Sequence, residues 1–135
     1  MPDPAIEPNA EQIGLLTSST DTGAIVMVNL LSFKDEADGI DAGVSGAEAY
    51  GRYGEAVAPF LAGVGGRVLC AVSCEDSIIG PPEREWDMAI FVEYPSREAF
   101  LKMTTDPGYL AIHPHRAAAL ADSRLILSKL LAGPA

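Results

Sequence analysis

WDMAIFVEYPSREAFLKMTTDPGYLAIHPHRAAALADSRL, residues 86–125, is the stretch on which the reading of the chain turns. Residues 86–94 alternate as a strand does: Asp87, Ala89, Phe91 and Glu93 fall on one face, and Trp86, Met88, Ile90, Val92 and Tyr94 on the other. Pro95-Ser96 is a sharp turn. Ser96 is a helix cap, with Glu98 near the positive end of the helix it starts. Asp106 caps a second helix, with Pro107 at its first position. Pro114 bends or restarts that helix beside His113. Asp122-Ser123 is read as its end, and residues 124–131 as a last strand.

The same rules extend toward the N-terminus. Residues 24–33, AIVMVNLLSF, form an apolar strand interrupted only by Asn29, which shares a face with Met27 and Leu31. Residues 46–64 form a helix on whose stripe Tyr50, Tyr53, Val57, Phe60, Leu61 and Val64 recur at three- and four-residue steps. Pro59 is expected to bend or shorten it. Gly65-Gly66 ends it, and residues 67–74 are a second strand with a ragged continuation to Gly80. Residues 1–7 are proline-rich and read as loose; residues 8–18 fit a short helix capped by Asn9.

The resulting order is a helix followed by βαββαβ, the ferredoxin-like pattern. The fold class is α+β, with a four-stranded antiparallel sheet and an extra N-terminal helix. Residues 1–23 read as an N-terminal extension and residues 24–135 as the ferredoxin-like domain. The first strand is apolar on both faces, whereas two helices cover one face of a sheet only. A homodimer formed sheet to sheet is therefore expected.

Composition narrows the functional classes. At 135 residues the chain is long enough for one domain with its own core, and 48% hydrophobic content argues against disorder. A net charge of −10 excludes the basic stripe that nucleic acid needs and disfavours anionic membranes. No apolar run approaches the roughly 20 residues that span a bilayer, and MPDPAIEPNAEQ has neither the basic start nor the apolar core of a secretory signal. A cytoplasmic protein is expected. Cys70 and Cys74 would lie about 13 Å apart along a strand, beyond disulfide reach, and read as buried free thiols. No metal-ligand cluster, phosphate loop or nucleophile elbow is present in the sequence, so neither a metal nor another cofactor is expected.

Five segments carry a family resemblance: VNLLSFK (28–34), AYGRYG (49–54), GGRVL (65–69), WDMAIFVEYPSREAF (86–100) and DPGYLAIHPHRAAALADSRL (106–125). As an ordered set they resemble domain-of-unknown-function family 1330, in the dimeric α+β-barrel superfamily, over residues 24–131. The resemblance implies a ferredoxin-like protomer whose sheet packs face to face with a second copy. Architectures of this kind serve cofactor-free monooxygenases, muconolactone isomerase, haem-degrading enzymes and stress-response barrels, so the fold alone does not fix a function.

The chemistry-bearing residues are His113 and Arg116 as the catalytic candidates, with Asn29, Tyr53 and Glu93 as substrate-binding ones. His113 suits proton transfer near neutral pH, and Arg116 can grip a carboxylate. A helix-end pair at the same spacing would look no different in sequence. Asn29 and Glu93 interrupt buried strands, need polar partners and could share a face. Tyr50 and Tyr53 fit core packing with hydroxyls at the rim, and His115 is read as solvated. The reading is a cofactor-independent enzyme of isomerase, lyase or monooxygenase type, acting on a hydrophobic small-molecule ligand that bears a carbonyl or carboxylate. A non-catalytic ligand-binding or stress-related dimer is the alternative, and a haem-binding protein the third.

Overall fold

The computed structural model describes residues 4–133; residues 1–3 of the proline-rich start and residues 134–135 at the end of the expected main domain lie outside the described residues. The elements run α1 (Ala10–Thr17), β1 (Ile25–Phe33), a 3-10 turn (Gly39–Asp41), α2 (Gly46–Gly63), β2 (Arg67–Ser73), β3 (Met88–Tyr94), α3 (Arg97–Thr104), α4 (Pro107–Ile112), α5 (Pro114–Ala119) and β4 (Leu120–Ser128). The four strands pair antiparallel in the order β2-β3-β1-β4. This is the ferredoxin-like arrangement, with the first and third strands in the centre.

The caps follow the local chemistry. Asn9 and Gln12 form a reciprocal capping box on α1, and Ser45, Ser96 and Asp106 each accept a backbone N–H at the start of α2, α3 and α4. α2 keeps all 18 residues, so Pro59 does not shorten it. The helix-covered face of the sheet presents Ile25, Met27, Val92 and Tyr94 to Tyr53, Met103 and Tyr109. Leu31 joins a second cluster with Ala37, Ala49, Ala119 and Leu120. Ile25 and Leu31 are both 0% exposed; burying one such side chain stabilises by about 1.5–3 kcal/mol.

The other face follows from the register. Val28 sits opposite Phe91 and Ile126, and Leu30 opposite Ala89 and Arg124. None of these belongs to either core cluster. The face that the helices leave open thus has an apolar centre of Val28, Leu30, Ala89, Phe91 and Ile126, with Arg124 and Glu93 beside it.

Three boundaries differ from the sequence reading. β4 begins at Leu120, directly after α5, and ends at Ser128, so Asp122-Ser123 lies within the strand. Leu120 is 1% exposed and pairs with Phe33 across a register shift, so core packing sets the start of this strand. The continuation of β2 to Gly80 does not form: after Cys74 donates to the Asp87 carbonyl (2.9 Å), β3 has no further residues to pair. Trp86 and Asp87 precede β3, and the Asp87 carboxylate instead accepts the Phe33 N–H at 2.8 Å. The cysteines are free, but Cys70 is exposed and Cys74 half-buried, because β2 is an edge strand open along most of its length. Among the described residues no helix is long and apolar enough to cross a membrane.

Candidate functional site

Pro114 separates α4 from α5 and leaves His113 at the junction, where its carbonyl accepts the Arg116 N–H at 2.9 Å. The break turns the two side chains toward the same neighbours. Tyr109, one helical turn before His113, hydrogen-bonds its ring through Nδ1 (3.2 Å). The Tyr109 hydroxyl also meets that of Tyr53 on α2 at 3.0 Å. The Tyr53 and Tyr109 rings lie edge to face at 6.4 Å, and Tyr50 packs on Tyr53 at 5.4 Å.

The N-terminal segment completes the group. Glu7 Oε1 lies 2.7 Å from His113 Nε2, and the Ile6 carbonyl accepts from Arg116 Nη1 at 2.7 Å. A carboxylate only accepts, so Nε2 carries the hydrogen. In the neutral ring Nδ1 then accepts from Tyr109, whose oxygen accepts from Tyr53. With a neutral ring the chain runs Tyr53→Tyr109→His113→Glu7, from the core to the surface.

Burial governs the electrostatics here. Desolvation raises the pKa of Tyr50, Tyr53 and Tyr109, and the positive charge of Arg116 opposes it at all three. The phenols stay protonated at neutral pH and act as hydrogen-bond donors. Arg116 itself is 8% exposed, and among the described residues it forms no ion pair with a carboxylate. Among the described residues its side chain hydrogen-bonds the neutral Ile6 carbonyl alone. A buried guanidinium bonded to a neutral carbonyl, beside a phenol–imidazole chain, can hold an anion and exchange a proton with a ligand.

Of the residues singled out from sequence, Tyr53, His113 and Arg116 come together. Asn29 does lie on the helix-covered face, but its amide donates to the Met27 and Ile90 carbonyls, both at 3.3 Å. Glu93 is on the opposite face and pairs with Arg67 at 3.0 Å. The register explains this. Asn29 is paired with Ile90, and Glu93, three residues further along the strand, must point the other way. The expectation that Asn29 and Glu93 share a face is therefore corrected. His115 is corrected too: it is half-buried, with Nδ1 2.7 Å from Asp41, whose other oxygen accepts from Arg52 at 2.7 Å. Burial pushes the pKa of Asp41 up, but the bonds from His115 and Arg52 outweigh it and leave the carboxyl below its ordinary value.

Sequence reasoning missed Glu7 as a member of this group and left Tyr109 out of the site. The four-residue spacing of Tyr109 and His113 was a usable signal; nothing local marks Glu7. One surface hollow is lined by Gly63, Val64, Ser96, Glu98, Ala99 and Lys102, and another by Cys74, Glu75, Ser77, Arg84, Glu85 and Trp86. Neither reaches the tyrosine–histidine–arginine group, which lies beneath residues 5–7. Among the described residues no group of three or more His, Cys, Asp or Glu is placed to hold a metal ion.

Comparison with known proteins agrees with this architecture. The family model described as domain of unknown function (DUF1330) matches residues 40–130. No curated protein matches the chain. Among solved structures, RPA0582, a protein of unknown function from Rhodopseudomonas palustris, is 38% identical, with 94% of this chain and 97% of that one covered and a TM-score of 0.87. SnoaB, a cofactor-independent oxygenase from Streptomyces nogalater, shares the fold at 15% identity, covering 80% of this chain and 93% of that one, with a TM-score of 0.52. A dimeric protein of unknown function with a ferredoxin-like fold from Bacteroides fragilis is 14% identical, covering 80% of this chain and 97% of that one, with a TM-score of 0.51. The chain belongs to the DUF1330 family and has a ferredoxin-like fold.

Proposed function

We propose that the chain is a homodimeric, cofactor-independent enzyme acting on a small hydrophobic metabolite that bears a carboxylate or carbonyl, with Arg116 as the anion clamp. The observation that carries the reading is the buried Arg116 guanidinium, bonded to a neutral carbonyl beside the Tyr53–Tyr109–His113 chain. A buried charge without a direct ion pair among the described residues carries a desolvation penalty of roughly several kcal/mol, which a bound carboxylate would offset. Tyr53, whose hydrogen is held by Tyr109, would accept a hydrogen bond from the ligand, and His113 would take up the proton through Tyr109. Isomerase, lyase and oxygenase chemistry all fit such a proton path. SnoaB, similar in fold, is a cofactor-independent oxygenase, which supports the last of these.

The second copy would cover the open sheet face around Val28, Leu30, Phe91 and Ile126. The two free cysteines fit a reducing, cytoplasmic setting. The test is calorimetric titration with benzoate and hexanoate against their neutral amides. The acids are expected to bind and the amides not. Arg116→Gln should weaken acid binding about 10- to 100-fold, the equivalent of one charge-assisted hydrogen-bond pair. Equal binding of acid and amide, unchanged in the variant, would refute the assignment of Arg116.

A further inference from the structure

Residues 5–7 lie across the site as three consecutive contacts. Ala5 uses both its backbone groups: its N–H donates to Asp122 Oδ1 at 2.8 Å, and its carbonyl accepts from Ser123 Oγ at 2.6 Å. Ile6 offers its carbonyl to Arg116 and lays its side chain against the cluster of Leu31, Ala37, Ala49, Ala119 and Leu120. Glu7 engages His113. A guanidinium, an apolar bed and an imidazole are what a hydrophobic acid would seek, and each already has a partner from this one segment.

We infer that Ile6 is an internal stand-in for the ligand, whose carboxylate takes the place of the Ile6 carbonyl on Arg116 and whose branched apolar body takes the place of the Ile6 side chain. This rests on the reading of Arg116 given above. It deepens that reading by naming the ligand class as short branched-chain acids, and by making residues 5–7 a competitor that the ligand displaces.

Two features favour exchange. A peptide carbonyl is neutral, whereas a carboxylate pairs with the charge of Arg116 through a charge-assisted contact whose geometry suits two parallel hydrogen bonds. The segment is also open to solvent: Ala5 and Glu7 are exposed, and Ile6 is only half-buried. The carbonyl carbon, Cα and side chain of Ile6 have the carbon skeleton of 3-methylpentanoate, so this acid is the probe that the geometry specifies.

The experiment titrates 3-methylpentanoate into the full chain, into Ile6→Gly, into Ser123→Ala and into Arg116→Gln, with 3-methylpentanamide as the neutral control. Ile6→Gly empties the apolar bed, and Ser123→Ala loosens the segment without touching Arg116. Ile6→Gly is expected to bind the acid at least about tenfold more tightly than the unaltered chain, Ser123→Ala to tighten it in the same direction, and Arg116→Gln to lose it. In the unaltered chain, saturating acid should speed hydrogen exchange at the Ala5 amide. Ser123→Ala guards against Ile6→Gly failing to fold. Equal affinity in the unaltered chain and both segment variants overturns the competitor while leaving Arg116 as an anion clamp. No binding of this acid to any variant also overturns the inference, and the benzoate and hexanoate series then decides Arg116 separately.

Discussion

Replacing Asp41 with Asn tests the cluster that holds α5 in place. Asp41 is 1% exposed and accepts two hydrogen bonds of 2.7 Å, from Arg52 on α2 and His115 on α5. Asn keeps one acceptor oxygen but turns an NH₂ toward the other donor, so one charge-assisted bond is lost, worth about 1.5–3 kcal/mol. The Arg52 side chain is 46% exposed and can rehydrate, which favours the lower half of that range; His115, at 22%, recovers less. A net loss of about 2 kcal/mol corresponds to a Tm lower by about 6–8 °C for a chain of this size. The pH dependence has a definite sign. The folded-state pKa of Asp41 lies below its ordinary 3.8, so its contribution is complete above that value and fades as pH falls through the folded-state value. The gap between the two proteins should therefore be full at pH 7 and close in acid. Thermal unfolding followed by circular dichroism at pH 7 and at about pH 2–3 measures both. A variant melting within about 1 °C of the parent at pH 7 would refute the reasoning, since an unsatisfied buried donor must show.

Two further outcomes follow from packing. Gly46 opens α2 where a Cβ would run into the Lys34 backbone and the Ala119 carbonyl, so Gly46→Ala should destabilise by about 3 kcal/mol or more, seen as a lower denaturation midpoint. On the open sheet face, Leu30→Asp should turn the proposed dimer into a monomer by light scattering at micromolar concentration; a parent that is already monomeric would defeat the sheet-to-sheet pairing.

The fold was legible because its signals are local and redundant. The alternation of residues 86–94, the Ser96 and Asp106 caps and the restart at Pro114 each act within a few residues, and the structure forms each element there, with β3 starting two residues later than read, at Met88. The misread boundaries are those set from a distance. β4 begins at Leu120 because that side chain is drawn into the core beside Leu31, and no cap or turn marks the place. Asn29 and Glu93 were recognised as polar residues within apolar strands, yet which face each takes depends on a register between strands roughly sixty residues apart, and neither residue reveals it.

The site was half legible for a related reason. Tyr109, His113 and Arg116 lie within eight positions, and Tyr53 stands on an apolar helix stripe that must face them. Their partners come from the opposite end of the chain: Ile6 is 110 residues from Arg116 and Glu7 is 106 from His113. Proline-rich composition made that segment read as loose, because proline removes donors and offers no periodic pattern. Its hold on the core depends instead on backbone carbonyls, which every residue has and no sequence pattern advertises. Hydrogen bonds to Ala5 and Ile6 could be made by many sequences, and only the Glu7 carboxylate and the branched Ile6 side chain are particular to this one. Those two side chains set the direction of the tyrosine–histidine chain and fill the apolar bed, so they are the residues of the segment at which substitution should alter the site more than the fold.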